Sequence, residues 1–324
     1  MKCVYPHYAC LHGVDADRTS RFIKAFWHAH IWDWSSLLFN RHGNYEAWEE
    51  KWDTDFAGGP VPIVENTALS FVNTGSDLIL SGAMLYALSG DRLPLQWAKN
   101  LLSRYDEIRH PETGLAGYQF NHRYPCRVRA SFKPPFDTRE DLNEATVVTN
   151  GVIRVRYGRA AVTWLNIAEV LGDKEGQPFR DVVVADLEAL TEHCFNTDAH
   201  YFYPAINDGT RLFPENTNEG IGYCAPSKLR KVPAEGLMFL SYTRAYKVTG
   251  IDRFLETAIQ LAEGMGWGDL KSAVDFVSGG SPESIEAWAN AGQNDACALF
   301  GLLDLYAATG EEVFLRSATS LGQQ

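Results

Sequence analysis

Glycine returns in this sequence at one fixed place in a repeated pattern, between an apolar stretch and an amphipathic stretch of similar length. The copies run from Leu78 to Leu102 around Ser89-Gly90-Asp91, from Ala160 to Leu190 around Gly172-Asp173, from Leu237 to Leu261 around Thr249-Gly250-Ile251-Asp252, and from Ala296 to Leu321 around Thr309-Gly310-Glu311. In three of them a tyrosine stands four residues before the glycine: Tyr86, Tyr246 and Tyr306. A glycine so placed is the left-handed residue that ends a helix, and the acidic residue after it can start the next. Tyr8 to Trp27 reads as a fifth copy, turning at His12-Gly13-Val14-Asp15. Helical hairpins at a period of this kind build an array or a toroid. The expected fold is therefore all-α, a single α/α toroid domain over residues 1–324, complete or incomplete.

The connections between hairpins, residues 28–73, 109–157, 196–233 and 264–294, are longer than helix-to-helix joins require, and long ordered loops usually carry function. All of them leave the end opposite the glycine turns, so they share one face. Strand is expected only near residues 200–213, where Asn207-Asp208-Gly209-Thr210 reads as a tight hairpin turn. The first copy lacks room for a full leading helix, and the last stops at Gln324. The pattern thus predicts a chain cut from a longer one, with Tyr8 and Phe22 left on an uncovered apolar patch.

Composition narrows the partners. A net charge of -12 argues against nucleic acid, which is bound by clustered Lys and Arg. No run of 18 apolar residues occurs, so no membrane helix is expected, and no apolar leader opens the chain. A cytoplasmic or periplasmic setting follows. The six cysteines show no metal-type spacing and read as reduced. Aromatic residues are abundant, with 9 Trp, 14 Tyr and 17 Phe, most of them for the core. A flat apolar ring also stacks on the CH face of a sugar.

Two loops concentrate polar chemistry. The first carries His28, His30, Asp33, Arg41 and His42; His28 and His30 diverge on a helix, so only one can share a metal with His42, and His30 is the candidate, with Asp33 behind the imidazoles. The second offers Tyr118 and Gln119, then His122, Arg123, Arg127, Arg129 and Lys133 with no acid among them, an island able to meet a carboxylate. An equal alternative pairs these arginines with Asp137, Glu140, Asp141 and Glu144 downstream. Arg156 and Tyr157 open the next hairpin, and Asn207 belongs to the third loop. Motifs of serine hydrolases, P-loop enzymes, zincins and dinucleotide enzymes are absent. An acidic saccharide is the ligand class that fits.

At Phe39-Asn40-Arg41-His42-Gly43, together with His110-Pro111-Glu112-Thr113-Gly114-Leu115 through Tyr118-Gln119-Phe120, the sequence resembles the family 2 polysaccharide lyases, pectate lyases built on an α/α toroid. The resemblance implies that Arg41 is the catalytic base and His42 a ligand of a divalent metal such as Mn, Ca or Ni, with a further His and a Glu upstream completing the shell. Here no Glu precedes Glu46, and the upstream histidines are His7, His12, His28 and His30. The remaining ligands would then lie in a preceding segment, or the site differs. The implied reaction is β-elimination on a polyuronate: the C5 proton leaves once the C6 carboxylate is neutralised, and the 4-O bond breaks. Tyr118, Gln119, Arg123, Arg127, Arg156, Tyr157 and Asn207 are the expected substrate contacts. A toroid glycoside hydrolase or sugar epimerase, and a non-catalytic carbohydrate-binding protein, are the alternatives.

Overall fold

The computed structural model describes residues 5–44, 69–121, 125–218, 224–270 and 285–323. Helices α1 (Tyr5–Val14), α2 (Ala16–His30), α3 (Val72–Ser89) and α4 (Arg92–Asp106) form the first two hairpins. A short α5 (Pro125–Ala130) and α6 (Asn150–Val152) follow, and the π-helical stretch Ile153–Ala160 feeds α7 (Ala161–Cys194). The last two hairpins are α8 (Gly236–Thr249) with α9 (Asp252–Gly264), and α10 (Ile285–Thr309) with α11 (Glu312–Gly322). The expected all-α hairpin architecture is what the chain adopts.

Side-chain patterning explains the two layers. In α3 the residues from Leu78 to Leu85 are buried without a break, so this helix is covered on every side. It packs on α1 and α7, while α8 packs on α7 and α10, which makes these the inner helices. In α9 only Phe254, Thr257, Ala258, Leu261 and Ala262 are buried, the single stripe of an outer helix. Close approach needs glycine at the interfaces: a Cβ on Gly82 would fall 2.6 Å from the Pro94 carbonyl oxygen in α4, and one on Gly301 would fall 2.6 Å from the Phe239 ring.

The turn glycines behave as expected at four of five places. Gly90, Gly250 and Gly310 have φ of 77°, 69° and 72°. Their N–H groups donate to the carbonyls of Tyr86, Tyr246 and Tyr306 at 2.8, 2.7 and 2.8 Å, so each tyrosine marks the last carbonyl of its helix to be capped. Gly172, at φ 69°, breaks α7 into two limbs. Gly13 is the exception. Helix α1 runs through it, and the turn is made instead by Asp15, whose side chain accepts from the Arg18 N–H at 2.9 Å. Tyr8 is buried, against expectation, whereas Phe22 is 47 % exposed.

Strand is more dispersed than expected. Besides β5 (Tyr201–Phe202) and β6 (Ala205–Ile206), short strands form at β1 (Ile31–Asp33), β2 (Leu38–Phe39), β3 (Val147–Val148), β4 (Phe195–Asn196) and β7 (Val232–Pro233). They pair as β1-β2, β3-β6 and β4-β5-β7, all antiparallel. The tight turn at Asn207–Thr210 is present, with Gly209 at φ 92° and the Ile206 N–H donating to the Thr210 carbonyl. Only β3-β6 stitches one long loop to the next; β1-β2 and β4-β5-β7 each close a single connection on itself, so all of them lie at the loop end and outside any core sheet. Phe71 bridges Gln119, the Tyr118 N–H donates to the Glu144 carbonyl at 2.9 Å, and the Asn207 N–H to the Thr146 carbonyl at 2.7 Å.

Candidate active site

The first loop folds back on itself through Asn40, whose side-chain oxygen accepts from the His42 N–H at 2.9 Å. The Arg41 N–H donates to the Leu69 carbonyl at 3.1 Å, fixing the backbone on which the side chain stands. From there the half-buried guanidinium reaches in two directions. Its Nε donates to Nε2 of the exposed His42 at 3.4 Å, and its plane lies over the Phe71 ring, 4.8 Å from the centroid. Phe71 in turn stands 4.7 Å from the ring of Tyr118. Tyr118 borders a pocket with Glu144, Val147, Thr149, Gly151, Cys224 and Lys228. One continuous edge therefore joins the Arg41-His42 pair to a pocket lined by a tyrosine, a carboxylate and an ammonium.

Two of the expected substrate contacts prove to be supports. Arg156 is fully buried; its Nε donates to Asp186 at 3.0 Å and its Nη2 to the Tyr105 carbonyl at 2.8 Å. Arg109 joins the same carboxylate at 2.8 Å and donates to the carbonyls of Gly114 and Val182, tying the start of the second loop to the core. Tyr157 is also fully buried, its hydroxyl accepting from the Ala116 N–H and donating to the Ala116 carbonyl, each at 3.0 Å. Burial pushes the Tyr157 phenol well above its ordinary range, so it stays a neutral donor. Arginine and tyrosine at the start of a hairpin look the same in sequence whether they face solvent or core. Here Arg109 holds Gly114 and Tyr157 holds Ala116, which aims Tyr118, while Arg156 ties Asp186 to the Tyr105 backbone.

The others divide in the same way. Gln119 is buried and donates from Nε2 to Glu144, so it holds that carboxylate against the pocket wall and does not face the opening. Asn207 is 7 % exposed, and its backbone accepts from the Thr113 hydroxyl and donates to the Thr146 carbonyl, which ties the third loop to the second. Among the described members of this set, Tyr118 is the one that opens on the pocket. Arg123 and the side chain of Arg127 lie outside the described residues. Asp141, one of the acids weighed as a partner for the basic island, is held by Arg139, which also pairs Asp208 at 2.9 Å.

The metal question turns on His30. Its ring is 4 % exposed and its Nδ1 meets the Phe26 carbonyl at 2.8 Å. Burial holds its pKa below the ordinary value, against the raising effect of the Phe26 and Arg41 backbone contacts, with His42 close enough to lower it further. The buried ring, held against two backbone segments, supports the Arg41 loop. Asp33, expected behind the imidazoles, bonds Ser35 and Ser36 at 2.6 Å each and shapes its own turn. Among the described residues no three His, Cys, Asp or Glu side chains come together as a metal shell. Of the two expected ligands, His42 is the one left open to solvent.

Sequence reasoning missed Phe71 and gave Glu144 a different part. Phe71 directly precedes an apolar helix and reads as core, and nothing local signals that Arg41 lies across it. Glu144 reads as a partner for arginines, and its place beside Tyr118 depends on the second loop folding back until the Tyr118 N–H meets the Glu144 carbonyl.

Similarity to known proteins follows the same line. The chain is 26% identical over 272 residues to a pectate disaccharide-lyase of Dickeya dadantii (strain 3937), an alignment covering 76% of this chain and 49% of that protein. The chain thus spans about half the length of the curated relative it matches. The structure is similar to that of cellobiose 2-epimerase from Bacillus thermoamylovorans B4167, with a TM-score of 0.51, 14% identity, and coverage of 94% and 74% of the two chains. A sugar epimerase from a ruminal bacterium aligns with a TM-score of 0.48 at 14% identity, covering 94% and 73%. At 14% identity the epimerase likeness speaks for the α/α toroid fold alone. The family model described as periplasmic pectate lyase matches residues 1–324, and the chain belongs to that family.

Proposed function

We propose that this chain forms the catalytic part of a periplasmic polyuronate lyase that cleaves a pectate-like polymer by β-elimination. The observation that carries the reading is the Arg41-His42 contact on the same edge as the Tyr118 pocket. In a uronate the C5 proton is acidified by charge neutralisation at the C6 carboxylate, and the 4-O substituent leaves as the C4–C5 double bond forms. Arg41 is the group that takes the C5 proton. A guanidinium serves as a base only where surrounding positive charge favours its neutral form. Phe71 holds the guanidinium plane from one side, which fixes its direction relative to a sugar ring lying toward Tyr118. Tyr118 stacks on or hydrogen-bonds that ring, and Lys228 at the pocket rim draws its carboxylate.

His42 would meet a divalent cation such as Mn, Ca or Ni through its exposed imidazole, with ligands from beyond the described residues. When bound, such a cation would supply neutralisation of the C6 carboxylate. The test is the rise in ultraviolet absorbance from unsaturated uronate when the chain meets polygalacturonate, with and without chelator. No rise with any of the three metals supplied, beside reducing ends that still accumulate, would replace the lyase with a hydrolase.

A further inference from the structure

The sheet β4-β5-β7 and the adjoining segment 211–213 carry a second surface of the same chemical character, built from residues other than those of the edge described above. Alternation along its chain decides what faces out. Phe202, Leu212 and Val232 are fully buried, so their neighbours Tyr201 and Tyr203, Arg211 and Phe213, and Lys231 all point the other way. Those five side chains touch. The Arg211 guanidinium lies 4.5 Å from the Tyr203 centroid, Phe213 stands edge-on to Tyr203 at 5.7 Å, and the Tyr201 and Tyr203 hydroxyls meet at 2.6 Å. The Lys231 ammonium sits 4.0 Å from the Tyr201 centroid and donates to its hydroxyl at 2.9 Å.

Stacking on a ring occupies the face of a guanidinium and leaves the N–H groups at its edge available. Among the described residues Arg211 makes no hydrogen bond and neither it nor Lys231 pairs with a carboxylate, in a chain of net charge -12. Two oriented cations therefore stand beside a wall of rings, with Phe213 39 % exposed. A neutral sugar would use only the rings, and a bare polyanion only the charges. A uronate uses both, because each residue has a CH face and a carboxylate.

We propose that Tyr203, Arg211, Phe213 and Lys231 form an auxiliary site that holds the polyuronate chain apart from the Arg41 centre. The proposal rests on the polyuronate reading above. It is tested by the retardation of the chain in native gels containing polygalacturonate, fully methyl-esterified pectin or polyphosphate, with turnover of a short oligouronate measured in parallel. The double variant Arg211→Gln/Lys231→Gln and the single variant Phe213→Ala should each weaken retardation by polygalacturonate by about tenfold. Oligouronate turnover should be unchanged, and Arg41→Ala should be retarded like the parent. Phe213 is exposed enough that its loss leaves folding intact, which guards against a misfolded double variant. Retardation unchanged in both variants overturns the auxiliary site and leaves the lyase reading standing. Polyphosphate that retards as strongly as polygalacturonate, with Phe213→Ala without effect, overturns the saccharide assignment. A parent chain that polygalacturonate does not retard, and that yields no unsaturated product, removes the polyuronate reading itself.

Discussion

Arg41 and His42 follow each other in the chain and also meet through their side chains, the guanidinium Nε donating to the imidazole Nε2 at 3.4 Å. The contact needs the guanidinium's sideways Nε, and the Phe71 ring beneath it needs a planar cation. Lysine has neither, although it keeps the charge. Arg41→Lys should therefore lower the rate of unsaturated-uronate formation by about a hundredfold, the cost of a misplaced reacting group. Because Arg41 is only half-buried, the melting temperature should stay close to that of the parent. A lysine variant retaining most of the rate would remove Arg41 from the reaction.

His42 is expected to link activity to metal. His42→Ala should reduce the affinity for Mn, Ca or Ni, read by titration calorimetry, and reduce turnover in step with it. His30→Ala should instead lower stability, since its ring holds the Phe26 and Arg41 backbones together. Metal affinity untouched in His42→Ala while turnover falls would leave His42 as a partner of Arg41 alone.

Asp186 is fully buried between Arg109 and Arg156. Asp186→Asn leaves two guanidinium groups sharing a neutral amide in the core, and removing one partner from a buried ion cluster costs about 3–5 kcal/mol. The melting temperature should fall by roughly ten degrees, at about 2–4 °C per kcal/mol for a chain somewhat shorter than this. Tyr118 is aimed by the loop that Arg109 anchors, so a folded Asp186→Asn should also lose turnover. A variant melting within two or so degrees of the parent would show that the cluster is not holding the core.

The hairpins were legible because their signals are local. Gly90, Gly250 and Gly310 need only a left-handed turn four residues after a carbonyl, and each tyrosine-to-glycine spacing states that directly. Gly13 shows the limit of the signal, since an Asp15 side chain can end one helix and start the next without it. The Arg41-His42 pair was legible as a motif. What surrounds it was not, because Phe71, Tyr118 and Glu144 come from loops joined by bridges that no local pattern announces. Arg156 and Tyr157 misled for the same reason: a polar side chain at a loop end gives no sign of a buried partner 30 residues on, as Asp186 is for Arg156.

His30 offers a prediction about pH. Burial lowers its pKa below the ordinary value of 6.5, more than its contacts at the Phe26 and Arg41 backbones raise it. Above that value the ring is neutral in both the folded and unfolded chain, and it contributes no slope. As pH falls below 6.5 the unfolded chain takes up a proton that the folded chain still refuses, so stability drops until the folded-state pKa is passed. One proton contributes at most about 1.4 kcal/mol per pH unit to that slope. His30→Gln keeps an N–H for the Phe26 carbonyl and removes the titration. The variant should lose less stability than the parent between pH 6.5 and the onset of general acid unfolding, measured as the difference between two denaturant series. Parallel curves for the two chains would mean that the proton is taken up equally in both states, and that His30 is not the closed, neutral support that its burial implies.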